Sequence, residues 1–300
     1  MPRHLTADDL EPSLTWSGVV QAIVDGHVHP APELDDILLR RGDDALLSRA
    51  ALIDGLGALV KTATVFPGNG EHGRPTVNGA ASLFSDRTGE LDATIDFHLL
   101  TRWKTAADSL LAASRLARSD AGSILIVGAG TVASSMIDAY RSVWPEAEIA
   151  IWNRTEATAV DLARKTGTRT VDDLEHAVRR ADIVSTATMS RRPLLRGGWL
   201  RPGQHLDLIG GYRADMREAD DAAVRRSRVF VDSHRTAADV GDIADPRASG
   251  ALDMVVADFG DLDAGTFRRA DDDEITLFKN AGGAHLDLMV ARHFADLVGV

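Results

Sequence analysis

The chain has 300 residues, 44% hydrophobic and 26% charged, with 45 acidic against 33 basic side chains and a formal net charge of -12. That length suits about two domains rather than a peptide module, and the composition is that of a globular protein rather than a disordered or fibrous one. The acidic balance speaks against nucleic acid, whose phosphate backbone needs a basic face, and the lack of cysteine excludes disulfides, thiolate nucleophiles and Cys-ligated metal.

At the N-terminus, Met1 to Leu14 is acidic and lacks the basic-then-apolar order of a signal peptide. No apolar run approaches the ~20 residues of a membrane span, so a cytoplasmic protein with no membrane partner is expected. Asp25-Gly26-His27-Val28-His29-Pro30 holds two histidines in a turn-rich stretch. A metal centre would need further His and Asp ligands at later strand ends of a barrel, and no metal is expected. Mixed strands over Ala58–Phe66, Ala80–Ser85 and Leu91–Asp96 are separated by Pro67-Gly68-Asn69-Gly70 and Asp86-Arg87-Thr88-Gly89, which reads as an α+β portion on a more antiparallel sheet. Leu100–Ala117 is helical by pattern.

From Ser123 onward strands and helices alternate, as parallel strands with crossover helices do. The strands are Ser123–Val127, Ala147–Trp152, Asp182–Thr186, His205–Ile209 and Arg228–Val231. The helices run from Thr131 through Trp144, over Thr155–Lys165, Val171–Arg180 and Asp215–Arg226. Asp272–Phe278 then leads into the turn Asn280-Ala281-Gly282-Gly283 and an apolar-faced helix, Ala284–Val298, expected to return to the first domain. The fold class is therefore α/β. Residues 1–110 and 284–300 are expected to form one discontinuous domain and residues 111–283 a Rossmann-type doubly wound dinucleotide-binding domain.

Gly128-x-Gly130-x-x-Ala133, directly after a strand and opening a helix, is a phosphate-binding fingerprint, because missing side chains let a pyrophosphate approach the helix N-terminus. The alternative is a tight structural turn in a domain that binds nothing. Where NAD enzymes place a carboxylate for the ribose hydroxyls, this chain has Asn153-Arg154-Thr155. A guanidinium and a hydroxyl suit a 2′-phosphate, which favours NADPH and leaves NADH open; Glu156 speaks against it, and a solvated surface arginine is the bland reading. Only four lysines are present, Lys61, Lys104, Lys165 and Lys279. Lys61 lies in the apolar strand Leu59–Phe66, where an ammonium is costly unless paired or used, as a proton donor or anchor beside a substrate; an edge residue reaching water is the alternative. Lys104 is expected near the start of a helix, where a cation and the dipole are mismatched unless an anion is bound.

The segments Val60–Asn69, Leu83–Leu91, Leu100-Thr101 with Lys104–Ala107, and Asp273–Lys279 carry a resemblance that covers nearly the whole chain. The chain resembles the ornithine cyclodeaminase/mu-crystallin family, most closely its bacterial Δ1-pyrroline-2-carboxylate reductase branch. The resemblance implies a nucleotide domain inserted into a substrate and dimerisation domain, a homodimer, and a substrate held between Lys61 and the nicotinamide. It implies Lys61 as the catalytic residue and Lys104, Thr76 and Arg49 for the substrate, with Arg40 and Arg41 behind Arg49. Gly128, Gly130, Thr131 and Val132 are assigned to the pyrophosphate, Asn153, Arg154 and Thr155 to the 2′-phosphate end, and Thr105, Thr186, Thr188, Tyr212 and Gly282 to the rest of the cofactor.

Two departures from the family pattern matter. Cyclodeaminases place a catalytic aspartate just after the Gly-Gly that here reads Gly210-Gly211, where this chain has Tyr212. Lys104 stands where the family usually has an arginine, keeping the charge but losing the two-pronged grip. The resulting expectation is reduction of a cyclic ketimine carboxylate, Δ1-pyrroline-2-carboxylate or Δ1-piperideine-2-carboxylate, to L-proline or L-pipecolate. A cyclodeaminase-type lyase and a non-catalytic NADPH-dependent small-ligand-binding protein are the alternatives.

Overall fold

The computed structural model describes residues 2–300, which divide into two compact units: residues 2–104 with 283–300, and residues 105–282. In the first unit the chain runs through β1 (Arg3–Leu5), α1 (Ala7–Leu10), α2 (Trp16–Gly26), β2 (Glu33–Arg41), β3 (Asp44–Ile53), β4 (Gly57–Val65), β5 (Val77–Phe84) and β6 (Leu91–Asp96). These strands form one six-stranded sheet in the order β1-β6-β5-β4-β3-β2, antiparallel except for the parallel β1–β6 pair. Helix α3 (Phe97–Leu116) follows, and the division between the units falls inside it.

Alternation along the strands sorts the side chains onto two faces. Ala51, Ile53, Leu59, Lys61, Ala81, Leu83, Ala93, Ile95 and Leu5 share the buried face. Helix α2 starts where Thr15 accepts a hydrogen bond from the Gly18 N–H at 3.1 Å and buries Val19 and Ile23. Each large aliphatic buried in this layer contributes roughly 1.5–3 kcal/mol. The opposite face leaves Ile37, Leu39, Leu52 and Val60 exposed.

The second unit contains β7 (Ser123–Val127), α4 (Thr131–Val143), β8 (Glu148–Trp152), α5 (Glu156–Thr166), β9 (Arg169–Thr170), α6 (Leu174–Arg180), β10 (Ile183–Thr186), β11 (His205–Leu208), α7 (Asp221–Arg225), β12 (Arg228–Val231), α8 (His234–Ala237), α9 (Gly241–Ala248) and β13 (Thr276–Lys279). All seven strands are parallel, in the order β12-β13-β11-β10-β7-β8-β9. The order reverses between β7 and β10, the switch point outside which doubly wound sheets bind ligands. The chain ends in α10 (Ala284–Leu297), a helix of the first unit.

Two local expectations need correction. Residues 215–226 do not form one helix: only α7 is helical, because the Asp220 carboxylate accepts from the Ala223 and Gly197 N–H groups and starts the helix there. Lys104 is not near a helix start, since α3 begins at Phe97, with Asp96 accepting from the Leu99 N–H at 2.7 Å; the dipole mismatch does not apply. Asp25 and Gly26 end α2, and His27–His29 form the turn expected of that stretch, with His27 as the helix C-cap.

Candidate active site

Lys61 sits in the middle of β4, directly opposite Arg49 of β3, so both side chains project from one face. The Lys61 Nζ donates to Asp287 Oδ1 of α10 at 2.8 Å, with both side chains almost fully buried. It also lies 5.1 Å from the centre of the Phe97 ring. Burial pushes the Lys61 ammonium below the ordinary lysine value, the carboxylate of Asp287 opposes this, and the charges of Lys104 and Arg49 add to it. Arg49 is held by Asp36 of β2, its Nε lying 3.1 and 3.0 Å from the two carboxylate oxygens. Lys104 is buried on α3. The Lys61–Asp287 pair thus lies within the charge field of two further cations, Arg49 and Lys104.

His285, in the first turn of α10, lies edge-on to His27 with ring centroids 5.9 Å apart. Burial pushes its pKa down to about 3, and the charges of His27, Lys104 and Arg49 act in the same direction, so it is a neutral imidazole at physiological pH. Its Nδ1 is buried without a hydrogen-bond partner among the described residues. Thr76 is exposed beyond the start of β5. Its position is on the order of 15 Å along the strands from the Lys61 row, so it is not brought next to Lys61. His27 Nδ1 faces the Ile23 carbonyl at 2.7 Å and His29 Nδ1 the Asp54 carbonyl at 3.2 Å, both local contacts.

In the second unit, the residues assigned to the cofactor gather at the carboxyl ends of the parallel strands. Gly128 follows β7 with φ +121°, a region side chains avoid, and a Cβ there would lie 2.6 Å from the Ala187 carbonyl oxygen beyond β10. Gly130 caps α4 with no side chain on the helix end and open space where its Cβ would stand. The first N–H groups of α4, at Thr131 and Val132, therefore face an open cradle, which fits a pyrophosphate. After β8, the Asn153 amide donates to the Thr155 carbonyl at 2.9 Å, while Arg154 and the helix-capping Thr155 are exposed. No acidic side chain lies in the first turn of α4. Thr186 and Thr188 follow β10, Tyr212 stands half exposed after β11, and Gly282 donates its N–H to Asp232 after β13. Thr105, on α3, accepts from the Asn280 amide at 3.1 Å.

The sequence profile of the ornithine cyclodeaminase/mu-crystallin family matches residues 48–298. The chain belongs to this family. Among its relatives, the Delta(1)-pyrroline-2-carboxylate reductase of Paracoccus denitrificans is 47% identical over 307 residues, covering 99% of this chain and 97% of that protein. The solved Delta(1)-pyrroline-2-carboxylate reductase of Thermococcus litoralis, in complex with NADH and L-proline, aligns with a TM-score of 0.90 at 27% identity over 99% of this chain and 98% of that one. An archaeal alanine dehydrogenase dimer with bound NAD aligns equally well, with a TM-score of 0.90 at 26% identity over 100% of this chain and 97% of that one. Within the family frame, Asp287, Phe97 and His285 went unread in the sequence. The signal for Asp287 was a carboxylate among the apolar residues of a C-terminal helix.

Proposed function

We propose that the chain reduces a cyclic ketimine carboxylate, Δ1-pyrroline-2-carboxylate or its six-membered homologue, to the corresponding L-amino acid at the expense of a nicotinamide dinucleotide. The observation that carries this reading is the buried Lys61–Asp287 pair within the charge field of Arg49 and Lys104. The close likeness in sequence to a Delta(1)-pyrroline-2-carboxylate reductase supports it.

A dihydronicotinamide, when bound, would supply the hydride that C2 needs for the C=N bond to become a C–N single bond as the ring nitrogen gains a proton. The protein's own part is electrostatic and positional. Arg49 and Lys104 attract the substrate carboxylate. Lys61, whose ammonium is made more acidic by burial, donates a hydrogen bond or a proton toward the ring nitrogen and keeps C2 electrophilic. Asp287 keeps Lys61 charged and oriented. His285 stays neutral and adds no charge that would compete for the carboxylate.

The dinucleotide is NADPH in this reading, with NADH as the weaker substrate. Arg154 and Thr155 offer donors for a 2′-phosphate, and the adjoining Asn153 carries no charge to repel it. Tyr212, in place of a carboxylate, leaves a cyclodeaminase without its acid–base group. The active species is a homodimer: Ile37, Leu39, Leu46, Ala50, Leu52, Ala58 and Val60 share one sheet face, and the four largest exposed members, at 57%, 60%, 55% and 38%, form an apolar patch of the sort that marks an interface. The second copy of the chain is its occupant.

Absorbance loss of NADPH and NADH with each cyclic ketimine, with ornithine as a control, tests the reading. Fast oxidation with a cyclic ketimine is expected. Ammonia release from ornithine without net oxidation would replace the reductase by a cyclodeaminase, and cofactor binding without turnover on any imine would replace it by a binding protein.

A further inference from the structure

The mechanism leaves unused a wholly buried carboxylate in the second unit. Glu218 lies in the segment between β11 and α7 and accepts four hydrogen bonds. Its Oε1 receives the Thr188 N–H at 2.8 Å and the Thr188 hydroxyl at 2.7 Å. Its Oε2 receives the Thr186 hydroxyl and the Gly210 N–H, both at 2.7 Å. Thr186 ends β10, and Gly210 stands two residues beyond β11. One carboxylate therefore ties together the loops that leave two neighbouring strands at their carboxyl ends, beside the switch point. The loops touch: a Cβ at Gly210 would lie 1.8 Å from the Thr188 carbonyl oxygen.

A second charged layer holds Glu218 from behind. Asp242 of α9 accepts from the Glu218 N–H at 2.8 Å. Lys279 of β13 lies 3.3 Å from Asp242 Oδ2 and donates to the Leu208 carbonyl at 3.0 Å. The Lys279 ammonium pairs with Asp242 and reaches Glu218 through its charge alone, all three side chains being buried. Burial and the charge of Asp242 push the Glu218 pKa up to about 7, against the pull of Lys279 and the hydrogen bonds from Thr186 and Thr188.

We propose that Glu218 is a positioning residue for the nicotinamide half of the dinucleotide site, fixing through Thr188 and Gly210 the spacing of the two loops that receive it. This rests on the reading that the second unit holds a nicotinamide dinucleotide. Each carboxylate oxygen accepts a backbone N–H, which cannot turn away, so an amide in its place sets one N–H against another. A protonated carboxyl is less disruptive, because its hydroxyl can donate to a threonine oxygen that rotates to accept. Both changes loosen the loops, the amide more than the acid.

The test is calorimetric titration of wild type and Glu218→Gln with NADPH and with 2′-phospho-ADP-ribose, which lacks the nicotinamide. The variant is expected to bind NADPH about tenfold more weakly, the cost of one unmet buried donor, and to bind the fragment unchanged. In wild type, the preference for NADPH over the fragment is expected to fall as the pH drops through about 7. Both ligands carry the 2′-phosphate, so its own titration cancels. Equal loss of both ligands, or loss of neither, would overturn the proposal. If the variant does not fold, a pH-independent preference in wild type overturns it alone. A wild type that binds no dinucleotide overturns the cofactor reading and this proposal together. Because the readout is binding, failure to reduce a ketimine leaves the result intact.

Discussion

Lys61 on β4 and Asp287 on α10, 226 positions apart in the chain, meet as a buried ion pair 2.8 Å long. Removing either partner strands the other charge away from water. Replacing Lys61 by Met is expected to lower turnover by 100-fold or more, in the range of a lost general acid, in a NADPH-oxidation assay. Residual activity near the wild-type level would remove Lys61 from the chemistry.

The same pair sets a pH dependence. In the proposed mechanism Lys61 acts in its charged form, so kcat/KM is expected to fall as the pH rises through its pKa, which lies below the ordinary lysine value. Asp287 holds that pKa up. In Asp287→Asn the alkaline limb of the pH–rate profile is therefore expected to move to lower pH, and an unmoved limb would uncouple the two residues.

In the proposed reading Arg154 is the charge offered to a 2′-phosphate. Arg154→Ala is expected to raise the KM for NADPH by about tenfold, as loss of a charge-assisted hydrogen bond does, and to leave the KM for NADH within a factor of two. Parallel changes for both dinucleotides would show that Arg154 does not read the phosphate.

The apolar sheet face makes a prediction about assembly. Val60→Lys puts a cation in the centre of that face, on a side chain that is exposed in the single chain. Sedimentation velocity is expected to give a dimer for the wild type and a monomer for the variant, with far-UV circular dichroism unchanged. A dimeric variant would move the interface elsewhere.

His205, in the core of the parallel sheet, faces the Thr276 hydroxyl at 2.9 Å, and burial with the nearby charge of Arg269 pushes its pKa down to about 3. The unfolded chain takes up a proton here at about pH 6.5 and the folded one does not, so stability is lost as the pH falls below 6.5 towards 3. Between pH 7 and 5 the stability of wild type relative to His205→Phe is expected to fall by roughly 2 kcal/mol in urea unfolding. A constant difference would mean that the imidazole takes up its proton as readily in the folded state as in the unfolded one.

Much of this was legible because the nucleotide-binding half repeats local rules. Strand Ser123–Val127, its glycine turn and the following helix are specified by contiguous residues, and so are β8, β10, β11 and β12. The long strands β2 and β3 were not, since Glu33–Arg41 mixes charge and leucine without a buried face to impose alternation. Lys61 could be singled out by the cost of an ammonium in an apolar strand. Its partner could not, because only the return of α10 to the first unit brings Asp287 to β4. Glu218 was hidden for a different reason: periodicity suggested a helix from Asp215, whereas the buried carboxylate is held by hydrogen bonds from Thr186, Thr188 and Gly210 on separate loops.

Transfer of deuterium from NADPH carrying two deuterium atoms at C4 of the nicotinamide tests the central claim most directly. With Δ1-pyrroline-2-carboxylate as substrate, mass spectrometry of the product is expected to find L-proline carrying one deuterium at C2, in step with NADPH consumed. Proline without the label, or no proline while ornithine releases ammonia, would contradict the assignment of a ketimine reductase.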